Sequence, residues 1–160
     1  MIISSHLFGV ELTEIPYFKE GYFLGNSETK YIDGKKIVTN GIALKHYKTS
    51  KNKFFISETQ MIREGKLVNL KMKISLIPNK DGNYDYVFSS ERFNGDGYIK
   101  VISKNEYHTF SYQHSNKMIS ETLFNKETKN LSINSTYMNE KMVIMNTKSS
   151  YKYSQNETLK

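Results

Sequence analysis

The 160-residue sequence contains no cysteine and no tryptophan, and only two prolines, Pro16 and Pro78. The absence of cysteine excludes disulfides, a thiolate nucleophile and a cysteine-ligated metal. Long apolar runs are also missing, since no stretch approaches the roughly 20 residues that a transmembrane helix needs. Residues 1–14 have no basic region and carry Glu11 and Glu14, where a signal peptide would be apolar. We therefore expect a protein of the cytoplasm or of a plastid stroma.

Arginine is scarce: of the 23 basic residues, only Arg63 and Arg92 are arginines. The net charge of +7 therefore comes from lysines, which give a diffuse and strongly hydrated positive surface. Proteins that clamp phosphates or recognise bases depend more on the bidentate arginine side chain. We therefore interpret the positive charge as favouring solubility. Binding of single-stranded nucleic acid is the less favoured interpretation.

The composition is that of one ordinary domain. Apolar residues make up 38% and aromatic residues 13% of the chain, which is enough to form a core and excludes global disorder. The sequence predicts a single domain over residues 1–153 and a disordered polar tail over residues 154–160.

Turn signals recur at short intervals, and the segments between them alternate with a period of two, which is typical of β-strands. In one such segment Leu70, Met72 and Ile74 point one way, while Lys71 and Lys73 point the other. We count nine or ten strands between about residues 21 and 153.

Many short-linked antiparallel strands would leave long unpaired edges in an open sheet, so the sequence predicts an all-β, antiparallel up-and-down barrel of about eight to ten strands. A two-sheet sandwich is the alternative, and only residues 89–97 are long enough for its crossover connection. A short N-terminal helix or irregular cap over the first 20 residues is expected to end at Pro16.

A barrel of this size is either filled by side chains or holds one small ligand. The segment 107–114 favours a ligand cavity, because each of its faces carries polar groups. Tyr107, Thr109 and Ser111 lie on one face, whereas His108, Phe110, Tyr112 and His114 lie on the other. Such a mixed lining suits a large amphipathic molecule. A filled barrel that acts as a protein-interaction module remains the alternative.

The sequence offers little for metal or nucleophilic chemistry. His108 and His114 would lie about 20 Å apart along one strand, and no carboxylate cluster accompanies them in the sequence, so we predict no metal site and no cofactor. Gly95 and Gly97 are assigned to a turn between strands, not to a phosphate-binding loop.

The most informative polar residues are Arg92 and Arg63, which are expected at a barrel rim where they could grip a carboxylate. Glu58 and Glu121 each lie inside a predicted strand among apolar residues. If Glu121 points inward, it would orient an N–H-rich ligand, and burial would raise its pKa toward proton transfer.

The strand layout resembles the lipocalin-like (calycin) barrels, and residues 109–136 are similar to the S-type phycobiliprotein lyases. The late strands of those proteins carry a Thr-x-Tyr pattern, then a Glu-Arg-x-Trp-Phe pattern, then an Asn-Leu-Arg-Leu-Arg-x-Ser pattern. The matching segments here are Thr109 with Tyr112, then Glu121 to Phe124, then Asn130 to Ser135. Ser132 and Asn134 replace the two arginines of the last pattern.

The resemblance implies a barrel that binds an open-chain tetrapyrrole (bilin) and passes it to a cysteine of an apo-phycobiliprotein. It implies that Arg92 or Arg63 holds the propionates and that Glu121 contacts the pyrrole nitrogens, so Glu121 and Arg92 are the candidate catalytic residues. The expected cavity walls are Tyr107, Phe110, Tyr112, Phe124 and Tyr137. Whether the protein is a lyase or a carrier of bilin, fatty acid or haem stays open, as does homodimerisation.

Overall fold

The computed structural model describes residues 20–49, 55–79, 81–140 and 142–155. Alternating side chains and tight turns form ten strands in these residues. They are β1 (Gly21–Tyr31), β2 (Lys36–Lys48), β3 (Phe55–Arg63), β4 (Lys66–Pro78), β5 (Tyr84–Ser89), β6 (Asn94–Ser103), β7 (Glu106–Gln113), β8 (Asn116–Asn125), β9 (Asn130–Asn139) and β10 (Met142–Ser154).

Every strand pairs antiparallel with its neighbours in the sequence, and β1 pairs with β10, so the sheet closes into a barrel. No edge is left unpaired around the closed sheet. The predicted all-β up-and-down barrel is therefore confirmed, and the two-sheet sandwich is wrong. Within the described ranges no helix is long and apolar enough to cross a membrane.

The register determines which side chains face the barrel interior. Ile74 pairs with Phe88 and Ile99 with Thr109, and the first three of these are buried. The alternation predicted for β4 is confirmed, because Leu70, Met72 and Ile74 face inward while the lysines between them are exposed. One face of each strand thus forms the core, and the other meets solvent.

One end of the barrel is packed, and we call it the base; the chain enters β1 and leaves β10 there. Phe23, Leu131 and Tyr107 are 0%, 0% and 2% exposed, respectively. The ring centroids of Phe23 and His46 are 5.0 Å apart, and those of His46 and Phe55 are 5.1 Å apart. The opposite end, which we call the mouth, is formed by the turns that follow β1, β3, β5, β7 and β9.

The predicted domain ends at residue 153. In the structure the last strand, β10, ends at Ser154, which pairs with Tyr22 of β1. The predicted N-terminal helix or cap lies outside the described residues up to residue 19, and so does the predicted disordered tail from residue 156 onward. The extent of the domain beyond the strands stays a prediction.

Candidate ligand-binding cavity in the barrel

A cavity of about 320 Å³ occupies the barrel interior between the base and the mouth. Its volume is within the range of small-molecule sites. Met118, which lines the cavity near the mouth, is 36% exposed although it shares the inward face of β8 with the buried Ser120. We infer that the cavity opens at the mouth. The interior is therefore not filled by side chains.

The wall formed by β4, β5 and β6, with the loop between the last two, is apolar. It consists of Leu70, Met72, Ile74, Tyr86, Phe88, Phe93 and Ile99. The Tyr86 and Phe88 rings have centroids 5.8 Å apart. A planar or elongated apolar ligand would find an apolar surface with three aromatic rings on this side.

Two glycines make room for these rings. A Cβ at Gly97 would lie 2.3 Å from the Phe110 carbonyl oxygen and 2.6 Å from the Tyr86 ring, and a Cβ at Gly95 would lie 2.6 Å from the Phe88 ring. Both glycines belong to β6 and pair with Tyr86 and Phe88, so their assignment to a turn was wrong. The glycines let the rings lie flat across the neighbouring strand.

The opposite wall, formed by β7 to β10, carries a series of hydroxyl groups. We call it the hydroxyl wall, and it consists of Thr109, Ser111, Ser120, Thr122, Ser135 and Ser149. The Ser120 and Ser135 Oγ atoms are 2.9 Å apart. The Tyr86 hydroxyl reaches over Gly97 of β6 and bonds to Ser111. Each hydroxyl can donate one hydrogen bond and accept others, so this wall can pair with N–H and C=O groups alike.

No charged side chain lines this cavity in the part of the chain that the structure describes. Burial raises the pKa of the Tyr86 hydroxyl above its ordinary value of 10.0. The hydrogen bond to Ser111 lowers this pKa in part, whereas the charge of Asp96 raises it. Burial likewise raises the pKa of Tyr151, another lining residue. Both phenols are therefore neutral at physiological pH, and the site is polar on one side without being ionic.

The predicted wall residues fall into two groups. Tyr107 lines the cavity, and Tyr137 shares the inward face of β9 at the mouth, opposite Met118. Phe124 is half-buried and packs against the core cluster at the base. Phe110 and Tyr112 lie on the other face of β7, where Tyr112 is 49% exposed, so neither reaches the interior. The sequence alone did not determine which face of β7 points inward.

Both arginines lie at the mouth, as the sequence predicted for a barrel rim. Arg63 ends β3, and its Nη2 donates to the Tyr31 hydroxyl at 3.1 Å. Arg92 lies in the loop between β5 and β6, next to Phe93, which lines the cavity. Both side chains are exposed, and their contact with a ligand carboxylate stays a prediction.

Glu121 lies outside the barrel. It is exposed on β8, on the face opposite to Ser120 and Thr122, so a ligand in the interior does not reach its carboxylate. Glu121 is instead opposite His108, which also has Glu106 beside it. The expectation that no carboxylate cluster accompanies the histidines was therefore wrong.

A second hollow, of about 470 Å³, lies on the outer wall and is lined by residues of β1 to β4 together with Glu91 and Arg92. Lys45 Nζ lies 5.8 Å from the ring centroids of both Tyr22 and Tyr47. The Tyr47 hydroxyl donates to Glu58 at 2.7 Å, and Lys71 pairs with the same carboxylate at 2.9 Å.

These contacts lower the pKa of Glu58 below its ordinary value of 4.5, first through the Tyr47 hydrogen bond and then through the Lys71 ammonium. Glu58 is thus already paired with groups of its own wall, and Gln60 is likewise bonded to Asn69. Although this hollow is the larger of the two, its polar groups pair with one another. The interior cavity is the better candidate site because it lies inside the barrel and its described lining is mostly apolar with uncharged polar groups.

Sequence reasoning missed the hydroxyl wall, although its signal is visible in the sequence. Thr109 and Ser111 on β7, Ser120 and Thr122 on β8, and Thr147 and Ser149 on β10 are pairs of small hydroxyl residues two positions apart. Since residues two apart share a face of a strand, such pairs predict a polar strip once the barrel is closed.

No protein-family model matches the chain, and no curated protein sequence matches it. Among solved structures the chain is similar to the S-type phycobiliprotein lyase CPES from Guillardia theta. The TM-score is 0.72 at 7% sequence identity, and the match covers 92% of this chain and 95% of that chain. The expected lipocalin-like barrel, and the resemblance to these lyases, are thereby confirmed at the level of the fold.

Proposed function

We propose that the barrel binds one large amphipathic molecule in its interior, most specifically an open-chain tetrapyrrole, and serves as a chromophore chaperone or lyase for a phycobiliprotein. The observation that carries the proposal is the cavity with one apolar wall, which includes three aromatic rings, and one hydroxyl wall. The shared fold with a phycobiliprotein lyase supports the same ligand class.

The chemistry of an open-chain tetrapyrrole matches these walls. Its conjugated rings present apolar faces, which suit the wall of Tyr86 and Phe88, while its lactam and pyrrole groups carry N–H donors and C=O acceptors. Thr109, Ser120 and Thr122 offer both donors and acceptors. The two propionates would remain at the mouth, within reach of Arg63 and Arg92, because an ionised carboxylate inside an uncharged cavity would be costly.

The same argument weighs against the alternatives. A fatty acid with its carboxylate buried would find no cationic partner among the described lining residues. A filled-barrel interaction module is disfavoured by the cavity itself. Haem remains a competitor for the apolar wall, because the lining includes methionine and tyrosine, which are possible ligands of its iron.

The chain has no cysteine and so cannot hold a bilin through a thioether, and the binding that we propose is non-covalent. A lyase would deliver the pigment to a cysteine of an apo-phycobiliprotein, and its compartment would be that of this partner, the cytoplasm or a plastid stroma. The outward position of Glu121 means that proton transfer to a ligand in the cavity would have to come from another group.

The test is a titration of the purified protein with phycocyanobilin and phycoerythrobilin, followed by absorbance and fluorescence, beside a fatty acid and haem. Two adjacent serines of β10 provide matched variants: Ser149 lines the cavity, and Ser150 is exposed on the outer face. We expect saturable bilin binding that S149F abolishes and S150F preserves, with the fold of each variant checked by circular dichroism. No bilin binding, or equal binding by both variants, would contradict the proposal.

A further inference from the structure

Three potential metal ligands converge on the outer wall of the barrel, away from the ligand cavity. Glu106 and His108 are two residues apart on β7, and Glu121 is directly opposite His108 on β8. One ligand atom from each residue lies within 4.8 Å of the other two, and the His108 Nε2 to Glu106 Oε1 distance is 3.3 Å.

The closed sheet fixes this arrangement. Residues two apart on a strand share a face, and directly opposite residues have Cβ atoms about 4.5–5.5 Å apart. Glu106 and His108 are also partly buried, with side chains 31% and 34% exposed. The three donors are therefore held by backbone pairing and need only rotamer adjustment to reach a common ion.

Neither carboxylate of the cluster is paired with a lysine or an arginine of the described residues. The chain has 23 lysines and arginines, yet within the described ranges none forms an ion pair with Glu106 or Glu121. The nearest cationic position in the register is Lys100, which pairs with His108 from β6 and is exposed. The contact between Glu106 and His108 is therefore the only ion pair that either carboxylate forms within the described ranges.

We propose that Glu106, His108 and Glu121 bind a divalent transition-metal ion, with Zn²⁺ as the test ion. One imidazole nitrogen and two carboxylate oxygens are ligands that Zn²⁺ accepts, and three protein ligands leave a coordination position for water. The imidazole distinguishes the site from a purely acidic cluster and favours Zn²⁺ over Mg²⁺ or Ca²⁺. The Glu121 carboxylate would then join β8 to β7 on the outer wall.

The site is independent of the proposed function, because its three side chains face away from the cavity. An ion there would join the two strands whose inner faces carry Thr109, Ser120 and Thr122. Since the metal would bind the folded barrel and not the unfolded chain, it should also raise the melting temperature.

The test is isothermal titration calorimetry of the metal-free protein with ZnCl₂, together with thermal melts. We expect one Zn²⁺ per chain, and an affinity that falls at least about tenfold in each of E106Q, H108A and E121Q. His114 is also exposed and lies in the turn that follows β7. H114A is therefore the matched control and should bind as the wild type does.

Zn²⁺ should raise the melting temperature of the wild type and of H114A but not of H108A. Three results would each overturn the proposal: no Zn²⁺ binding by the wild type, unchanged affinity in H108A or E121Q, or a loss in H114A as large as that in H108A. The last result would mean that exposed histidines bind the ion without the cluster.

Discussion

Replacing Thr122 by valine tests whether the hydroxyl wall takes part in ligand binding. Thr122 is 3% exposed and lines the cavity, paired with Tyr107 on one side and Ile133 on the other. Valine keeps the shape of threonine and removes only the hydroxyl. A hydrogen bond inside a protein contributes about 0.5–1.5 kcal/mol net. We therefore expect T122V to weaken bilin binding by about 2- to 13-fold.

The matched control is T136V, the same substitution on the outer face of β9. Thr136 donates from Oγ1 to the Asn146 Oδ1 at 2.9 Å in an exposed position, so its loss should leave bilin affinity unchanged. Both affinities are measured by absorbance titration, with thermal melts to show that each variant is folded. Unchanged binding by T122V, or a loss in T136V equal to that in T122V, would refute the role assigned to the hydroxyl wall.

Three further predictions concern the mouth, the outer wall and the base. R63A and R92A should each weaken binding of phycocyanobilin by about 1.4- to 5-fold, since exposed ion pairs contribute about 0.2–1 kcal/mol. Binding of the phycocyanobilin dimethyl ester should not change in either variant. An equal loss of affinity for the acid and the ester would count against propionate contacts. The lowered pKa of Glu58 means that its stabilising contribution is present above pH 4.5 and lost as pH falls through the lower folded-state pKa. In urea unfolding from pH 6 to pH 3, E58Q should therefore lose less unfolding free energy on acidification than the wild type. Identical pH profiles of the two proteins would contradict this. L131A should lower the unfolding free energy by about 2–5 kcal/mol, because Leu131 is 0% exposed. L123A, at a position that is 50% exposed, should change the unfolding free energy by less than about 0.5 kcal/mol. Equal losses in urea unfolding would contradict the assignment of Leu131 to the inner face and Leu123 to the outer face.

The fold could be predicted from the sequence because its two signals are local. Alternation in β4 and β5 marks the strands, and turn residues mark their ends. Closure then follows from the cost of unpaired edges. The glycines of β6 were misassigned since an Asn-Gly-Asp-Gly run is typical of a turn, whereas here two of its residues accommodate the rings of Tyr86 and Phe88. That pairing depends on the cross-strand register, which a local pattern does not contain.

The site was harder to predict because it depends on which face of each strand points inward. In β7 both faces carry aromatic and polar residues, so the sequence could not choose between Tyr107 and Phe110. The same ambiguity affected Glu121, which lies among apolar residues in the sequence yet faces outward in the barrel. The rim positions of Arg63 and Arg92 were predictable because both lie next to turns.

The most direct test of ligand binding inside the barrel is methyl NMR of the wild-type protein, labelled at isoleucine δ1 carbons and titrated with phycocyanobilin. Ile74, Ile99 and Ile133 line the cavity, whereas Ile102 and Ile119 are 45% and 38% exposed. Interior binding predicts saturable shifts of the first three methyls and unchanged positions for the last two. Shifts confined to Ile102 and Ile119, or no shifts at all, would contradict the account.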